Sequence, residues 1–306
     1  MNKRFPYSPT YTAIAVGYKN LSYIADSVLP RVIVSKEEFK YRTFPLAEGF
    51  TIPNTLYPKK GTPNELEFAS NEVTASTVDY GLSDFVSNDD IANAPENYDP
   101  LAHSTEMLTD LILLDREVRV ARLLFNINSY ASDKQLVLSG TDKFSSYADS
   151  DPLRVITEAL ESCLIRPNTL TIGSHAWSIL RQHPKLIKAI HKNSGDSGIA
   201  SRVAFAELLE LDNVYVGQSR LNTANKGQNP TLSRVWGDDI ALTYINPLAN
   251  TNNGLTFGYT AQYGSKIAGT KEVDKGIRGS TEARVAESVK ELIVASDAGF
   301  ILKDVV

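Results

Sequence analysis

Residues 37–87 carry two alternating strand-like runs on either side of a proline-rich middle. The runs read EEFKYRTFP and EVTASTVDYGLSDFVS, and such alternation is typical of strands with two different faces. Proline has no N–H group to donate to a neighbouring strand, so it favours sheet edges and turns. The prolines of the middle are Pro45, Pro53, Pro58 and Pro63. An isolated two-stranded ribbon is only marginally stable in water, and this extended loop becomes reasonable if it lies across another subunit.

Residues 1–36 show only loose patterning, and Pro6, Pro9 and Pro30 break any long helix. The segment carries five basic residues against one acidic residue. We predict an extended arm with little core of its own, which must lie on a neighbouring subunit or on the rest of the chain. The alternative is a frayed terminus.

Residues 99–128 predict one long helix. Asp99 is a suitable N-cap, Pro100 suits the first helical position, and apolar residues recur at helical spacing after them. Charged residues, including Arg116 and Glu117, occupy much of the remainder. At 1.5 Å per residue the helix would be roughly 40 Å long, which is long for a globular domain.

The segment before this helix, residues 79–99, contains six carboxylates and no lysine or arginine. Clustered carboxylates can bind a hard cation such as calcium, but the spacing and glycine of an EF-hand loop are absent. We therefore interpret the segment, with Asp89 and Asp90 at its centre, as a solvated acidic connection or as a partner for basic loops.

Residues 151–248 read as a separate unit in which helices and strands alternate, after a polar, turn-rich connection at 129–150. Asp151 and Pro152 repeat the capping signal of the long helix. Residues 249–306 return to strand, with period-two alternation in GLTFGYTAQYGSKIAG. The last runs, KELIVAS and FILKDVV, are predicted to pair as a hairpin, because Gly299 in the DAG turn can supply a positive φ.

Composition excludes several classes of protein. The net charge of −5 argues against a protein held to nucleic acid by phosphate contacts. The single cysteine, Cys163, precludes a disulfide within the chain and fits a reducing cytoplasm. No apolar run approaches the roughly 20 residues that span a membrane, and the N-terminus lacks the apolar core of a signal peptide.

Candidate catalytic motifs are weak. GDSG (residues 195–198) also surrounds the nucleophile of trypsin-like proteases, but here it lies in a polar loop between helical segments. The last three of the four histidines are eight residues apart, which is too far for an i, i+4 metal pair. No phosphate-binding glycine loop occurs. We predict no catalytic residue, no metal site and no cofactor.

Five parts of the chain, in their order, resemble the major capsid proteins of tailed bacteriophages. These are the opening LSYIADSVLPRVIVSKEEFKYRTFP, the long loop, the long helix, a unit with PNTLTIG, LDNVYVG and VWGDDIALTYINP, and the ending VKELIVASDAGFILKDVV. The resemblance implies the α+β Hong Kong 97-type fold. Its parts would be an N-terminal arm (1–36), an extended β-hairpin loop (37–87), a peripheral domain with spine helix 99–128 (88–150 and 249–306), and an axial domain (151–248).

The resemblance also implies a structural role without catalysis. Copies would form pentamers and hexamers, and these would tile an icosahedral head shell that encloses double-stranded DNA without sequence-specific binding. Because the arm follows Met1 directly, the chain resembles members that use a separate scaffolding protein. A portal is a further expected partner, and a decoration protein is compatible. The protein would reside in the virion, after assembly in the bacterial cytoplasm without a membrane.

The expected assembly contacts lie in the arm, the long loop and the acidic segment. They are Arg31, Lys36, Pro53, Lys59, Lys60, Asp89 and Asp90. In some relatives a loop lysine forms an isopeptide bond with a neighbour, but a solvated loop tip or a salt bridge to a neighbour's acidic segment is favoured here. Two alternatives remain: an encapsulin-type nanocompartment with the same fold, and a soluble α/β enzyme with its active site in 151–248.

Overall fold

The computed structural model describes residues 5–43, 52, 55–56, 71–190, 198–225 and 227–306. The α-helices in these ranges are α1 (Pro9–Gly17), α2 (Ala25–Val28), α3 (Asn88–Ala92), α4 (Pro100–Leu124), α5 (Pro152–Ser162), α6 (Ser174–Leu180), α7 (Pro184–Ile190) and α8 (Arg202–Leu209). The strands are β1 (Arg31–Val34), β2 (Glu38–Thr43), β3 (Asn71–Ser76), β4 (Val78–Ser87), β5 (Gln135–Val137), β6 (Thr169–Gly173), β7 (Asn213–Gly217), β8 (Arg220–Asn222), β9 (Leu232–Arg234), β10 (Ile240–Thr243), β11 (Gly258–Val273), β12 (Ser280–Ile293) and β13 (Gly299–Lys303).

The long helix α4 confirms the predicted spine. The Asp99 side chain accepts hydrogen bonds from the backbone N–H groups of Leu101 (2.9 Å) and Ala102 (3.2 Å), which caps the first turn. The helix ends at Leu124, four residues before the predicted end, and at 1.5 Å per residue it is about 37 Å long. The Tyr130 hydroxyl donates to the Leu124 carbonyl oxygen and satisfies one of the free acceptors at this end.

A four-stranded sheet in the order β1-β11-β12-β4 packs against α4. β11 and β12 form a long antiparallel pair, β4 continues it antiparallel to β12, and β1 lies parallel to β11. The small residues Ala268 and Ala283 are fully buried between this sheet and the helix, beside Leu108 and Ile112. Burial of this apolar stripe fixes the helix on the sheet.

A second sheet, in the order β5-β13-β10-β6-β7, organises the middle of the chain. Every residue of β6 and β10 is buried, as expected for strands covered on both faces. Helices α5 to α8 contribute apolar side chains such as Leu160, Trp177 and Phe205 to its core. The predicted alternation of helices and strands in 151–248 is therefore confirmed.

The predicted C-terminal hairpin is wrong. KELIVAS contributes to β12 in the first sheet, whereas FILKDVV contributes β13 to the second, between β5 and β10. Gly299 has an extended φ of −149° rather than a positive one. Its lack of a side chain serves packing instead, because an added Cβ would lie 2.7 Å from the Phe257 ring.

The prediction of an extended arm is also wrong in part, because α1 and α2 are helical. Pro9 occupies the first position of α1, where the missing N–H costs no hydrogen bond. Residues 5–34 lie on their own chain in this structure. The Ser8 N–H donates to the Ala268 carbonyl oxygen (2.9 Å), and the Thr12 hydroxyl donates to the same oxygen (2.9 Å).

The two ends of the long loop pair as predicted, with β2 antiparallel to β3 from Glu38↔Ser76 to Thr43↔Asn71. The second predicted run is not one strand, however. The Thr77 N–H donates to the Glu37 carbonyl oxygen, and beyond Thr77 the chain leaves β2 and pairs with β12 as β4. Most of the loop between β2 and β3, including Pro53, Lys59 and Lys60, lies outside the described residues.

Candidate functional site

The arm runs along the spine helix and is held by three acidic residues on one face of that helix. Asp99, Asp110 and Glu117 are 11 and 7 residues apart, close to whole numbers of helical turns, so their side chains share a face. The Tyr11 hydroxyl donates to Asp99 (3.4 Å). The donors to Asp110 are the Tyr18 hydroxyl (3.3 Å), the Asn20 amide (2.8 Å) and the Tyr23 hydroxyl (3.3 Å). The arm therefore follows the helix in the same direction.

Glu117 is fully buried and joins three parts of the chain. Its carboxylate accepts hydrogen bonds from the backbone N–H groups of Ile24 (3.0 Å) and Ala25 (2.8 Å), at the start of α2. It also accepts from the Trp236 indole N–H (2.7 Å) and the Ser219 hydroxyl (3.3 Å), both in the 151–248 segment. Burial raises the pKa of Glu117, although all four hydrogen bonds lower it.

A network of charged side chains lies beside Glu117. The Arg116 side chain is only 1% exposed; it pairs with Asp26 of α2 and donates to the Thr260 hydroxyl (2.9 Å). Arg31 of β1 donates from Nε to Asp26 (2.7 Å) and from Nη1 to Glu287 of β12 (2.8 Å). Burial alone would raise the pKa of Asp26, but the guanidinium groups of Arg116 and Arg31 together lower it.

The expected assembly residues fall in different surroundings. Arg31 is engaged within its own chain, as described above. Lys36 is exposed and lies beside a groove at the base of the β2–β3 ribbon. Asp89 and Asp90 lie together in α3, where Asp89 accepts from the Arg278 guanidinium (2.7 Å) and Asp90 is exposed. The structure does not describe Pro53, Lys59 or Lys60, and the assembly roles of all seven residues stay predictions.

Other candidate chemistry is dispersed. His183 is buried against the Ser150 hydroxyl (3.1 Å), and burial lowers its pKa. His175 pairs with Asp238 (2.8 Å). Cys163 is buried, and burial raises the pKa of its thiol. Among the described residues, no three His, Cys, Asp or Glu side chains are grouped as metal ligands, and no helix has the length and apolarity to cross a membrane. Ser197, the serine of the GDSG motif, lies outside the described residues.

The arm, the spine helix and the 151–248 segment meet at Arg116 and Glu117, and we call this meeting point the junction. The sequence analysis did not identify these two residues as its centre. A signal was present, because Glu117 lies four residues after Leu113 and seven before Leu124, on the buried stripe of the helix. A charge in an apolar stripe needs a partner, and the sequence does not say that the partners are backbone N–H groups of the arm.

Comparison with known proteins gives a consistent result over the full chain. No protein-family model matches. The chain is 50% identical over 306 residues to the major capsid protein of Pseudomonas phage JBD67, covering 100% of this chain and 99% of that one. It is 30% identical over 311 residues to the major capsid protein of Burkholderia phage BcepMu, covering 97% and 96%.

Solved structures share the fold. A phage-related protein from Bordetella bronchiseptica RB50 is similar with a TM-score of 0.77 at 23% identity, over 99% of this chain and 98% of that chain. The capsid of Cyanophage P-SCSP1u is similar with a TM-score of 0.59 at 10% identity, over 99% and 90%.

Proposed function

Since the chain belongs to the bacteriophage major capsid proteins and has the Hong Kong 97-type α+β fold, we propose that its copies form pentamers and hexamers that tile an icosahedral shell around double-stranded DNA. The observation that carries this proposal is the 50% identity to a phage major capsid protein along the entire chain. The protein is a component of the virion capsid, and its role there is structural rather than catalytic.

The division into domains follows from the same proposal. Residues 151–248 would form the axial domain at the centre of each pentamer or hexamer, and residues 88–150 and 249–306 the peripheral domain. β13 joins the sheet that contains β6, β7 and β10, so the C-terminal residues would tie the two domains together. Arm 1–36 and loop 37–87 would reach neighbouring copies, and many weak contacts would add up through multivalency.

Charge supports the proposed contacts between copies. Lys36 is exposed, and Lys59 and Lys60 lie in the long loop, so these lysines would meet carboxylates on the surface of a neighbour. Single exposed ion pairs contribute little, about 0–1 kcal/mol each, so only their repetition over the shell would matter. Arg31 would act indirectly, by holding the arm in place, and Pro53 would shape the loop.

Assembly would involve further partners. We expect a separate scaffolding protein, a portal, a decoration protein in some heads, and packaged DNA without sequence-specific contacts, all meeting in the bacterial cytoplasm without a membrane. An encapsulin-type compartment is the alternative that the same fold permits; the two curated relatives, both phage capsid proteins, favour the viral shell. A soluble enzyme centred on 151–248 is the least supported alternative.

The proposal can be tested by deleting residues 50–62 from the long loop. The full-length chain, expressed with its scaffolding protein, should sediment as large hollow particles. The deletion variant should give soluble subunits or particles that dissociate on dilution, because the loop no longer lies on its neighbours. Stable particles of normal size from the deletion variant would refute the role of the loop, and an absence of particles from the full-length chain would refute the shell.

A further inference from the structure

A cavity of about 600 Å³ opens between the arm, α4 and β11, and its wall has an excess of positive charge. The cationic side chains that line it are Lys19, Arg31, Arg116 and Lys266. Asp26 and Glu117 are the acidic residues of the lining, and Glu287 lies behind it as the partner of Arg31. The lining residues themselves carry four cations and two carboxylates, in a chain whose net charge is −5.

The acidic residues of the cavity are already engaged. Asp26 accepts from both Arg31 and Arg116, and Glu117 accepts four hydrogen bonds from the arm and the 151–248 segment. These carboxylates therefore hold the arm, the spine helix and the 151–248 segment together, and neither of them makes a direct hydrogen bond or ion pair with Lys19 or Lys266.

Lys266 and Lys19 are those remaining cations. Neither forms an ion pair or a hydrogen bond with any residue that the structure describes. Lys266 is partly buried on β11, and burial lowers its pKa despite the nearby carboxylate of Glu287. An ammonium group held away from water without a direct partner would be stabilised by an incoming anion.

The rim of the cavity favours a peptide over a free ion. Leu21 is 96% exposed and Val16 is 50% exposed, and both line the cavity. Exposed apolar side chains of this size next to a pocket mark a surface that another protein can cover.

The chain itself carries a segment of matching chemistry. Residues 79–99 contain six carboxylates and no basic residue. Within them, Asp90 and Glu96 are exposed and make no ion pair with the described part of the chain. Tyr98, 47% exposed, supplies apolar surface beside them.

This segment cannot reach the cavity of its own chain. α4 rises 1.5 Å per residue, so Asp99 at its start and Leu113 at the cavity are about 21 Å apart. α3 contacts the spine helix and is tied to the connection between β11 and β12, since the Arg278 guanidinium donates to Asp89 (2.7 Å) and the Asn88 side chain donates to the Arg278 carbonyl oxygen (3.0 Å). The acidic segment and the cavity are thus two separate surfaces of one subunit.

We propose that this cavity receives a carboxylate from residues 88–99 of a second copy of the chain, with Lys266 and Lys19 as its cationic partners. Two different surfaces meet in such a contact, so it is heterologous and can close into a ring. The inference rests on the proposed function, because it requires neighbouring copies.

A binding experiment tests the contact directly. A fluorescent peptide of residues 88–99 is titrated with the full-length chain below the concentration at which it assembles, and anisotropy is recorded. The Lys19→Gln/Lys266→Met variant should bind about tenfold more weakly, the factor expected for loss of a close charge pair at an interface. Lys271→Gln, a change at an exposed lysine of the same strand, should bind like the wild type.

Two further arms identify the ligand. A peptide in which all four carboxylates are replaced by amides should bind the wild-type chain as weakly as it binds the double variant. Inorganic phosphate should compete only weakly. Equal binding of both peptides, an unchanged affinity in the double variant, or strong phosphate binding without peptide binding would each overturn the inference.

An exchange of charges between the two surfaces distinguishes a failure of this contact from a failure of shell assembly. Lys266→Glu should reduce the yield of particles, and addition of Asp90→Lys and Glu96→Lys to the same chain should restore it. If the wild type assembles but neither the loss nor the rescue is seen, the inference fails and the shell stands. If the wild type does not assemble with its scaffolding protein, the proposed function itself fails.

Discussion

At the scale of single residues, Glu117 has the largest expected effect on the stability of the subunit. Its buried carboxylate is the common acceptor for the arm, for Ser219 and for Trp236, so the spine helix, the arm and the 151–248 segment meet at one side chain. A charge in this position is stable only while its donors stay in place.

Replacement of this side chain should therefore be costly. Glu117→Ala leaves two backbone N–H groups and one indole N–H without their acceptor, so we expect a loss of about 3–5 kcal/mol in the free energy of unfolding. Urea unfolding of the unassembled subunit measures it. Glu106→Ala, at an exposed position of the same helix, should stay within about 0.5 kcal/mol of the wild type; equal losses in both variants would contradict the assigned role.

The pKa of Glu117 makes a further prediction about pH. Because the folded-state pKa lies above the ordinary value of 4.5, the folded chain takes up this proton before the unfolded chain does as the pH falls. The wild type should therefore gain stability relative to Glu117→Gln between neutral pH and about 4.5. Asp26 acts in the opposite direction, but it is present in both proteins and cancels. A stability of the wild type relative to Glu117→Gln that stays constant or falls as the pH is lowered would contradict a raised pKa of this carboxyl group.

Gly217 is closely packed, so substitution by a larger residue should also destabilise the subunit. A Cβ added there would overlap the buried Trp236 ring, which already packs edge-on against Phe125 at a centroid distance of 5.7 Å. We expect Gly217→Ala to lower the free energy of unfolding by about 3 kcal/mol, through overpacking. Gly237→Ala is the matched control, because an added Cβ there meets no atom within 4 Å. Thermal unfolding that ranks the two variants alike would argue against this packing.

At the scale of elements, the spine helix depends on its first turn. Asp99 caps two backbone N–H groups and accepts from Tyr11 of the arm. Asp99→Ala should cost about 1 kcal/mol, whereas Asp99→Asn, which keeps an acceptor, should cost much less. Hydrogen exchange should accelerate at the first amides of the helix in the alanine variant alone. Unchanged exchange there would mean that tertiary contacts rather than the cap hold this turn.

The elements also show what the sequence could and could not predict. The spine helix was predictable because its cap, its proline and its apolar period are all local signals. The sheet that β13 joins was not predictable, because the partners of a strand are set by packing between residues far apart in sequence. Ile301 pairs with Ala241 on one side and with Gln135 on the other. Similarly, alternation identified the run after residue 72 as strand, but not the exchange of β2 for β12 at Thr77.

The arm illustrates the same distinction. Proline content suggested an extended segment, yet Pro9 begins a helix because the surrounding contacts supply a surface for it. Arg116 and Glu117 were visible as charges in the sequence, but their partners Asp26, Ile24 and Ala25 come from a segment about 90 residues away. A candidate site built from such distant parts requires the three-dimensional structure.

At the scale of the whole molecule, a long helix, a long β-pair and a compact second sheet give one subunit several separate surfaces. The β2–β3 ribbon, the acidic α3 segment and the cavity at the arm and spine junction lie on different elements. The proposed match between two different surfaces of neighbouring copies favours ring-forming contacts over simple dimers. This arrangement suits a subunit that repeats around fivefold and sixfold axes.

The most direct test of the shell is negative-stain electron microscopy of the purified chain after co-expression with the proposed scaffolding protein, combined with its sedimentation profile. We expect closed hollow shells, together with rings of five and six subunits in partly dissociated samples. A homogeneous monomer or dimer that persists in the presence of the scaffolding protein would contradict the proposed assembly.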